Sequence, residues 1–284
     1  MEISAADVKK LREKTGAGMM ECKKALVDSE GDFDRAEKLL KEKGLAAVEK
    51  RSGRATNEGK VFVEISGDGS RAALVELASE TDFVARNPEF IALGTAITGK
   101  VLEKGCTGPT EELSAMVTEL AARIRENMSL RRLSLVTAGA NEYLTQYIHG
   151  DGNIGVVVKF ESGEPENFRN DEFKNFAFTI ALHIAAFNPL ALDRSKIDPA
   201  HISEQEEIFR KQMEGDEKLK GKPANVIDNI LKGKISKYLA DICLVEQAYV
   251  KDEKMTVAQA LADCGKKLGA AISVKDYVYY KVGA

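Results

Sequence analysis

The side chains best suited to catalysis in this 284-residue sequence are few and scattered. Its three histidines and four cysteines share no catalytic or metal-binding spacing. No two cysteines form a CxxC pair, so the pattern predicts buried free thiols rather than a metal site. The cysteines are Cys22, Cys106, Cys243 and Cys264.

The three histidines have different predicted surroundings. His183 is flanked by apolar residues in IALHIAAF, which predicts a buried core histidine. His201 precedes a predicted helix and is expected at the surface. His149 lies at a predicted hairpin turn, and the related position elsewhere in the chain is Ser66, so the fold does not require histidine there. His149 is therefore the candidate functional histidine.

The short motifs of common enzyme classes are missing from the sequence. No GxxxxGK(S/T), GxGxxG, HExxH or GxSxG occurs. The many carboxylates follow the spacing of solvated helix faces. We therefore predict a protein that is not an enzyme and that holds no cofactor or metal of its own.

An aromatic side chain at an unusual place is the first candidate binding residue. Thr81-Asp82-Phe83-Val84 joins an apolar strand to a helix, at a turn that is normally polar. One interpretation makes Asp82 the N-cap of the helix, with Phe83 covering the helix end. The other makes Phe83 an exposed knob, held between a strand and a helix, that contacts a partner.

A second candidate surface lies within residues 11–26. Met19 falls on the same predicted helix face as Cys22, while Met20 is rotated by about 100° from Met19. We expect at least one methionine near the surface, where Met adapts well to partners. The stretch is either a step in a small helical bundle or a docking surface formed by Arg12, Met19 and Met20.

The overall charge and hydropathy restrict the class of partner. A formal charge of -4 argues against generic binding to a nucleic-acid backbone. No apolar run approaches the length of a membrane span. The N-terminal stretch has neither the apolar core of a secretory signal nor the pattern of a transit peptide. We expect a cytoplasmic protein that contacts no membrane and no nucleic acid directly.

The elements that carry these residues predict an α+β fold in two parts. Residues 1–50 read as three short helices, separated by TGAG and EGD. The polar residues 51–60 are expected to be a linker. From Lys60 the apolar period changes to two, which predicts a β-hairpin followed by a helix.

The part after the linker is predicted to be an internal duplication. ISGDGSRAALVEL (65–77) aligns with IHGDGNIGVVVKF (148–160) at a constant offset of 83, and the following helices keep that offset. Residues 61–140 and 141–284 are therefore expected to form two similar α/β subdomains of antiparallel hairpins plus helices.

The same alignment bears on the aromatic turn. Positions 81–84 match Glu164-Pro165-Glu166-Asn167, which keep neither Asp82 nor Phe83. The fold can form without that pair, which favours a function for it.

The second subdomain carries extra residues. The last strand of the first subdomain includes Arg131 and its counterpart includes Lys275, a separation of 144 rather than 83. The difference of 61 residues is assigned to an inserted helical hairpin at 190–241, joined at Gly221–Pro223. Apolar residues left exposed on it would favour a second subunit. The predicted seam residues are Ile208, Phe209, Val226, Ile227, Ile230 and Leu231.

Together these stretches resemble the elongation factor Ts family, the translation factors that reactivate the GTPase elongation factor Tu. One family signature is similar to LREKTGAGMMECKKAL at residues 11–26, and another is similar to ETDFVAR at residues 80–86. YIHGDGNIGVVV and GKPANVIDNILKGKISKYL also resemble family segments, so the resemblance covers nearly the whole chain.

The resemblance implies guanine-nucleotide exchange on elongation factor Tu. In the family, the N-terminal helices form a ubiquitin-associated-like domain, and residues matching Arg12, Met19 and Met20 dock on the GTPase domain. The Asp-Phe pair, here within Thr81-Asp82-Phe83-Val84, wedges between GTPase helices and disturbs the Mg²⁺ site and phosphate loop. The histidine matching His149 approaches that loop.

The resemblance also bears on assembly. The insertion matches the coiled-coil dimerisation domain of some members, which implies a homodimer or a 2:2 complex with elongation factor Tu. Some members continue into a C-terminal helical module, whereas this sequence ends at VYYKVGA, so we carry over none of that module's contacts. Ala78 and Ser79 stand where other members often have Asn and Cys.

An alternative of another class is an adaptor. A ubiquitin-associated-like domain at residues 1–50 would then bind an unrelated protein. The Thr81-Asp82-Phe83-Val84 turn argues against this alternative, since an adaptor has no use for it.

Overall fold

The computed structural model describes residues 3–216, 219 and 222–284 as a mixed α+β structure, as the sequence predicts. The helices are α1 (Ala5–Thr15), α2 (Met19–Asp28), α3 (Phe33–Arg51), α4 (Asp82–Ala85), α5 (Pro88–Lys104), α6 (Glu111–Ile124), α7 (Asp171–Phe187), α8 (Pro199–Glu214), α9 (Ala224–Ile242) and α10 (Val257–Leu268). The strands are β1 (Glu58–Ile65), β2 (Arg71–Ser79), β3 (Met128–Thr137), β4 (Glu142–His149), β5 (Ile154–Ser162), β6 (Ala248–Tyr249), β7 (Asp252–Thr256) and β8 (Ile272–Lys281).

These elements group into two compact units. The first unit comprises the chain up to Thr137 together with Ile148–Gly155 and Tyr280–Ala284. The second unit comprises Ala138–Tyr147 and Val156–Tyr279. His149 at the end of β4 and the turn between β4 and β5 therefore belong to the first unit.

The three N-terminal helices form where the sequence predicts them. The Ser4 side chain caps α1 by accepting a hydrogen bond from the Asp7 backbone N–H. The helices bury a small common core that includes Leu11, Cys22 and Leu26. One predicted boundary is wrong: α3 extends to Arg51 and β1 begins at Glu58, so the predicted linker 51–60 shrinks to residues 52–57.

A three-stranded sheet is the centre of the first unit. Its order is β1-β2-β3, and both neighbouring pairs are antiparallel. Helices α5 and α6 pack on this sheet. Val75 and Leu77 of β2 pack there with Phe90 and Ile97 of α5 and Leu120 of α6. The short helix α4 follows β2 directly and is fixed by this core.

The element bounds confirm the internal duplication. Strand β5 starts at Ile154, 83 positions after the start of β2 at Arg71, and α7 follows α5 by the same 83 positions. Strand β8 follows β3 by 144 positions, from Met128 to Ile272. Both last strands begin three residues before the predicted Arg131 and Lys275. The second sheet has the order β4-β5-β8, matching β1-β2-β3.

The extra residues of the second unit form the two predicted helices, α8 and α9. Leu231 is buried between them, and Phe209, Ile227 and Ile230 pack against the same cluster. The predicted join at Gly221–Pro223 lies partly outside the described residues, because the structure describes Lys222 and Pro223 but not Gly221.

Part of the predicted seam is wrong. Ile208, which is 42% exposed, and Val226 are not among the residues of this cluster, whereas Met213, Ile235 and Leu239 are buried in it. Leu231, Ile235 and Leu239 follow each other at intervals of four, so they define the inward face of α9. Ile208 is rotated by about 100° from Phe209, which takes the inward position on α8.

The rest of the second unit packs around α7. Phe160 of β5 and Phe173 and Ile180 of α7 are fully buried there. A two-stranded sheet of β6 and β7, which the sequence did not predict, follows α9. None of the described helices has the length and apolarity that a bilayer span requires.

Candidate partner-binding site

The aromatic side chain of the α4 turn points into solvent. The Phe83 side chain is 81% exposed, the highest value among the exposed large apolar residues. Thr81, not Asp82, is the N-cap, because its hydroxyl accepts a hydrogen bond from the Val84 backbone N–H at 3.3 Å. Asp82 is the first residue of α4. The interpretation in which Asp82 caps the helix and Phe83 covers its end is therefore wrong.

The residues around Phe83 fix the turn. Val84 and Ala85 are buried in the core of the first unit. The Thr81 hydroxyl donates to the Glu126 carboxylate at 3.0 Å, and the Ser79 hydroxyl donates to the Thr81 carbonyl at 3.0 Å. Because its neighbours are anchored, little backbone entropy remains to be lost when the Phe83 ring is buried by a partner.

The duplicated turn shows which of these side chains the fold needs. A 3₁₀ turn at Pro165–Arg169 occupies the position of α4. Phe168 is buried where the first turn buries Ala85. The position of Phe83 is taken by Glu166, which lies in solvent and pairs with Arg169 at 2.9 Å. A helical turn thus forms in the second copy with a solvated carboxylate at this position, so the turn does not require an exposed ring there.

Asp82 lies beside the ring and is partly exposed. Its carboxylate forms an ion pair with Arg86 one turn later, at 3.2 Å. An exposed pair of this kind contributes little to stability. The Asp82 carboxylate therefore remains available to a partner at small cost.

His149, predicted at a hairpin turn, is instead the last residue of β4, directly before that turn, and it is exposed. Two residues later, the Asp151 carboxylate accepts a hydrogen bond from the Lys60 ammonium at 2.6 Å. That hydrogen bond lowers the pKa of Asp151, and the charges of Lys60 and Arg86 lower the pKa further. Helix α4, which carries Phe83, packs against β1, and Lys60 of β1 holds Asp151, so both segments contact the same strand of the first unit.

The second candidate surface is exposed as well. On α2, the Met20 side chain is 75% exposed and Met19 is 42% exposed. Arg12 on α1 is also exposed. Both methionines thus lie at the surface, although Met19 shares its predicted face with the buried Cys22. The first turn of a helix lies at the edge of a small bundle, where an inward-facing residue lacks neighbours on one side.

The remaining histidines are structural. His183 is buried, and its Nε2 lies 2.9 Å from the Gln247 side-chain oxygen; burial lowers the pKa of His183. His201, expected before a helix and at the surface, instead lies inside α8, half-buried and 2.7 Å from the Tyr238 hydroxyl.

The cysteines are free thiols, as predicted. Cys22, Cys243 and Cys264 are buried and Cys106 is half-buried. Across residues 3–216, 219 and 222–284, no group of three or more potential metal ligands comes together.

Sequence reasoning missed Lys60 and Asp151. A signal for Lys60 was available, because it opens the alternating KVFVEI run next to apolar positions that face the core. Its partner, Asp151, is 91 residues away in the sequence, so the contact between the two side chains becomes visible only in the folded structure.

The fold and these surfaces define a class of protein. A helical N-terminal part and a duplicated α/β core carry exposed apolar side chains on well-anchored turns, as in a protein that works by binding another protein. A family model described as "Elongation factor TS" matches residues 80–284. The chain belongs to the elongation factor Ts family, which gives it a role as a translation elongation factor.

Full-length relatives agree with the family match. An elongation factor Ts of Treponema denticola is 49% identical over 283 residues, covering 100% of this chain and 99% of the relative. Those of Treponema pallidum and Borrelia recurrentis are 44% and 42% identical, each covering 100% of this chain and 99% and 100% of the relative. The similarity therefore includes the N-terminal helices, which the family model does not match.

Proposed function

We propose that this protein is a guanine-nucleotide exchange factor that binds elongation factor Tu–GDP and promotes the release of GDP. The observation that carries the proposal is the Phe83 ring, exposed on a turn that its own unit anchors on both sides. Asp82 and Phe83 enter the GTPase domain, with Thr81 and Val84 holding them in place. Their insertion disturbs the contacts of Mg²⁺ and the phosphate loop with GDP.

Thermodynamic linkage makes this mechanism quantitative. An exchange factor that weakens nucleotide binding must itself be bound more weakly when nucleotide is present, by the same factor. Burying one Phe side chain contributes about 1.5–3 kcal/mol, and each ~1.4 kcal/mol is tenfold in affinity. Phe83 alone therefore offsets roughly a tenfold to hundredfold loss of GDP affinity. A larger effect requires further contacts.

Arg12, Met19, Met20 and His149 supply those further contacts in the proposal. Residues 1–50 act as a ubiquitin-associated-like domain that docks on the GTPase through the exposed methionines. His149 contacts the phosphate-loop region from the turn next to α4. The core subdomains at 61–140 and 141–284 hold these surfaces.

The proposed setting is the cytoplasm. The exchange factor needs no cofactor or metal and performs no covalent chemistry. The helical insertion at 190–241, with Ile208 exposed on it, is the proposed contact for a homodimer or a 2:2 complex with elongation factor Tu.

The test is the release of a fluorescent GDP analogue from elongation factor Tu in a stopped-flow instrument. The release rate is expected to rise with the concentration of this protein until it saturates. Binding without any acceleration would contradict the proposal and would support the adaptor alternative, in which the exposed methionines of α2 hold an unrelated partner.

A further inference from the structure

The two copies of the duplicated hairpin turn use the same aspartate differently. In the first copy, Asp68 accepts hydrogen bonds from its own turn: from the Ser66 hydroxyl at 2.6 Å and from the Ser70 backbone N–H at 3.0 Å. These bonds lower the pKa of Asp68 to about 2. The Asp68 carboxylate thus accepts hydrogen bonds from residues of its own turn.

In the second copy, the matching Asp151 binds outside its own turn. The Lys60 ammonium donates to the Asp151 carboxylate and to the Asp151 backbone carbonyl, both at 2.6 Å. The Lys60 side chain is only 9% exposed, so β1 holds this ammonium in one place. The Val61 backbone N–H adds a hydrogen bond to the Gly152 carbonyl at 2.8 Å.

Gly152 allows this close approach. Its φ is +93°, and a Cβ there would lie 3.3 Å from both the Lys60 side chain and the Val61 carbonyl. A side chain at this position would be strained and crowded. The turn is therefore shaped to lie against β1.

The other side of the same contact faces α4. Helix α4 packs against β1, which carries Lys60. The charge of Arg86 reaches Asp151, and Arg86 is the ion-pair partner of Asp82. The charged groups around Asp151 are thus Lys60 from β1 and Arg86 from the end of α4. Strand β1 thus contacts the turn that follows His149 through Lys60, and the same strand contacts the helix that carries Phe83.

We propose that Lys60 and Asp151 are positioning residues that hold the His149 turn at a fixed place relative to Phe83. The inference rests on the proposed exchange function, in which both residues contact the GTPase. We call the Lys60–Asp151 contact the clamp. While it is formed, Phe83 and His149 keep a fixed distance from each other before the GTPase binds. Without it, the turn of His149 must be ordered during the reaction, and the entropy of that ordering opposes it.

Lys60→Met is the variant that opens the clamp with the least damage. Met keeps the apolar stem of the lysine in its buried position. The Asp151 carboxylate, which is largely exposed, is then solvated by water and is not left as a buried unpaired charge. The variant is therefore expected to fold with a melting temperature close to that of the wild type.

The activity readout is the concentration dependence of stimulated GDP release. Lys60→Met is expected to lower the maximal rate about fivefold, in the range of coupling within one ion-pair network, and to change the half-saturating concentration less than about twofold. Lys60→Arg, which can still donate to Asp151, is expected to restore the rate. Asp68→Asn, which changes the counterpart of Asp151 in the other copy of the turn, is expected to leave the rate unchanged.

A double-mutant cycle shows whether Lys60 acts through His149. In a His149→Ala background, Lys60→Met is expected to cause no further loss of rate. An undiminished rate for Lys60→Met alone, or an equal loss in both backgrounds, would overturn the positioning role.

Hydrogen exchange separates this inference from the proposed function. The Val61 amide, which bonds to Gly152, is expected to exchange faster in Lys60→Met than in the wild type or in Asp68→Asn, with no partner present. An unchanged hydrogen-exchange rate of the Val61 amide in Lys60→Met would contradict the proposal that Lys60 holds this turn against β1. If the wild-type protein binds elongation factor Tu without accelerating GDP release, the proposed function fails, whatever the Val61 amide shows.

Discussion

At Phe83 the packing is provided by the neighbouring side chains, which leaves the ring free. Val84 and Ala85 are buried in the core. The Thr81 hydroxyl donates a hydrogen bond to Glu126 and accepts one from the Val84 backbone N–H. An exposed aromatic ring has only the usual cost of apolar surface in water, and a partner that covers it recovers that free energy. The same holds for Met20 on α2. Their exposure supports the proposal that both side chains contact another protein.

The exposed methionines predict a docking contribution. Met19→Ala combined with Met20→Ala is expected to weaken binding to elongation factor Tu about tenfold to hundredfold, because apolar area that the partner covers is lost. Calorimetric titration measures the affinity. Alanine favours a helix, so α2 is expected to stay folded.

Leu45→Ala supplies the control for this double change. Leu45 is also an exposed apolar residue, but it lies on α3 and not on α1 or α2, which carry Arg12, Met19 and Met20. Its variant is expected to bind normally. If the methionine variant and the wild type bind with equal affinity, the proposal that residues 1–50 dock on elongation factor Tu through these methionines is wrong.

At the residue scale, the sequence identified candidate binding residues where a side chain is unusual for its local structure. An aromatic at a polar turn and two adjacent methionines at a helix start were visible without a structure. Lys60 and Asp151 were not, since a charge pair between distant segments leaves no local pattern. The Asp82 interpretation failed because Thr81, one residue earlier, can cap the helix equally well.

At the element scale, α5 approaches its sheet closely at a glycine. A Cβ built at Gly94 would lie 2.1 Å from the Phe62 ring, which also packs near Phe90 at 6.3 Å between ring centroids. Gly94→Ala is expected to lower the free energy of unfolding by about 1–3 kcal/mol, the usual effect of overpacking. Chemical denaturation measures it.

The same helix supplies the opposite case. At Gly99 a Cβ would meet nothing within 4 Å. Gly99→Ala is expected to raise the free energy of unfolding by up to about 1 kcal/mol, through helix propensity alone. A similar change in both variants would contradict the close contact between α5 and Phe62.

The order of the elements was predictable and some of their limits were not. Periodicity and turn residues located the three N-terminal helices, the hairpins and the inserted helices. Ends such as Arg51 of α3 depend on packing that continues a helix through polar residues. The inward face of α8 was misplaced because adjacent apolar residues, Ile208 and Phe209, leave its phase open.

At the scale of the whole molecule, duplication separates what the fold requires from what the function requires. Strands and helices recur at 83 positions, and the buried sites recur with them, as at Ala85 and Phe168. The solvent-facing position does not recur, since Phe83 is matched by Glu166. One copy of the turn has a solvated carboxylate at this position, and the other has an exposed aromatic ring, which we propose contacts the partner.

The central claim is that the Phe83 ring drives the release of GDP, and the duplication supplies its control. Stopped-flow release of a fluorescent GDP analogue from elongation factor Tu should be measured with the wild type, Phe83→Ala and Glu166→Ala. We expect Phe83→Ala to lose most of the stimulated rate with an unchanged melting temperature, and Glu166→Ala to keep it. Full stimulation by a folded Phe83→Ala protein would contradict the account.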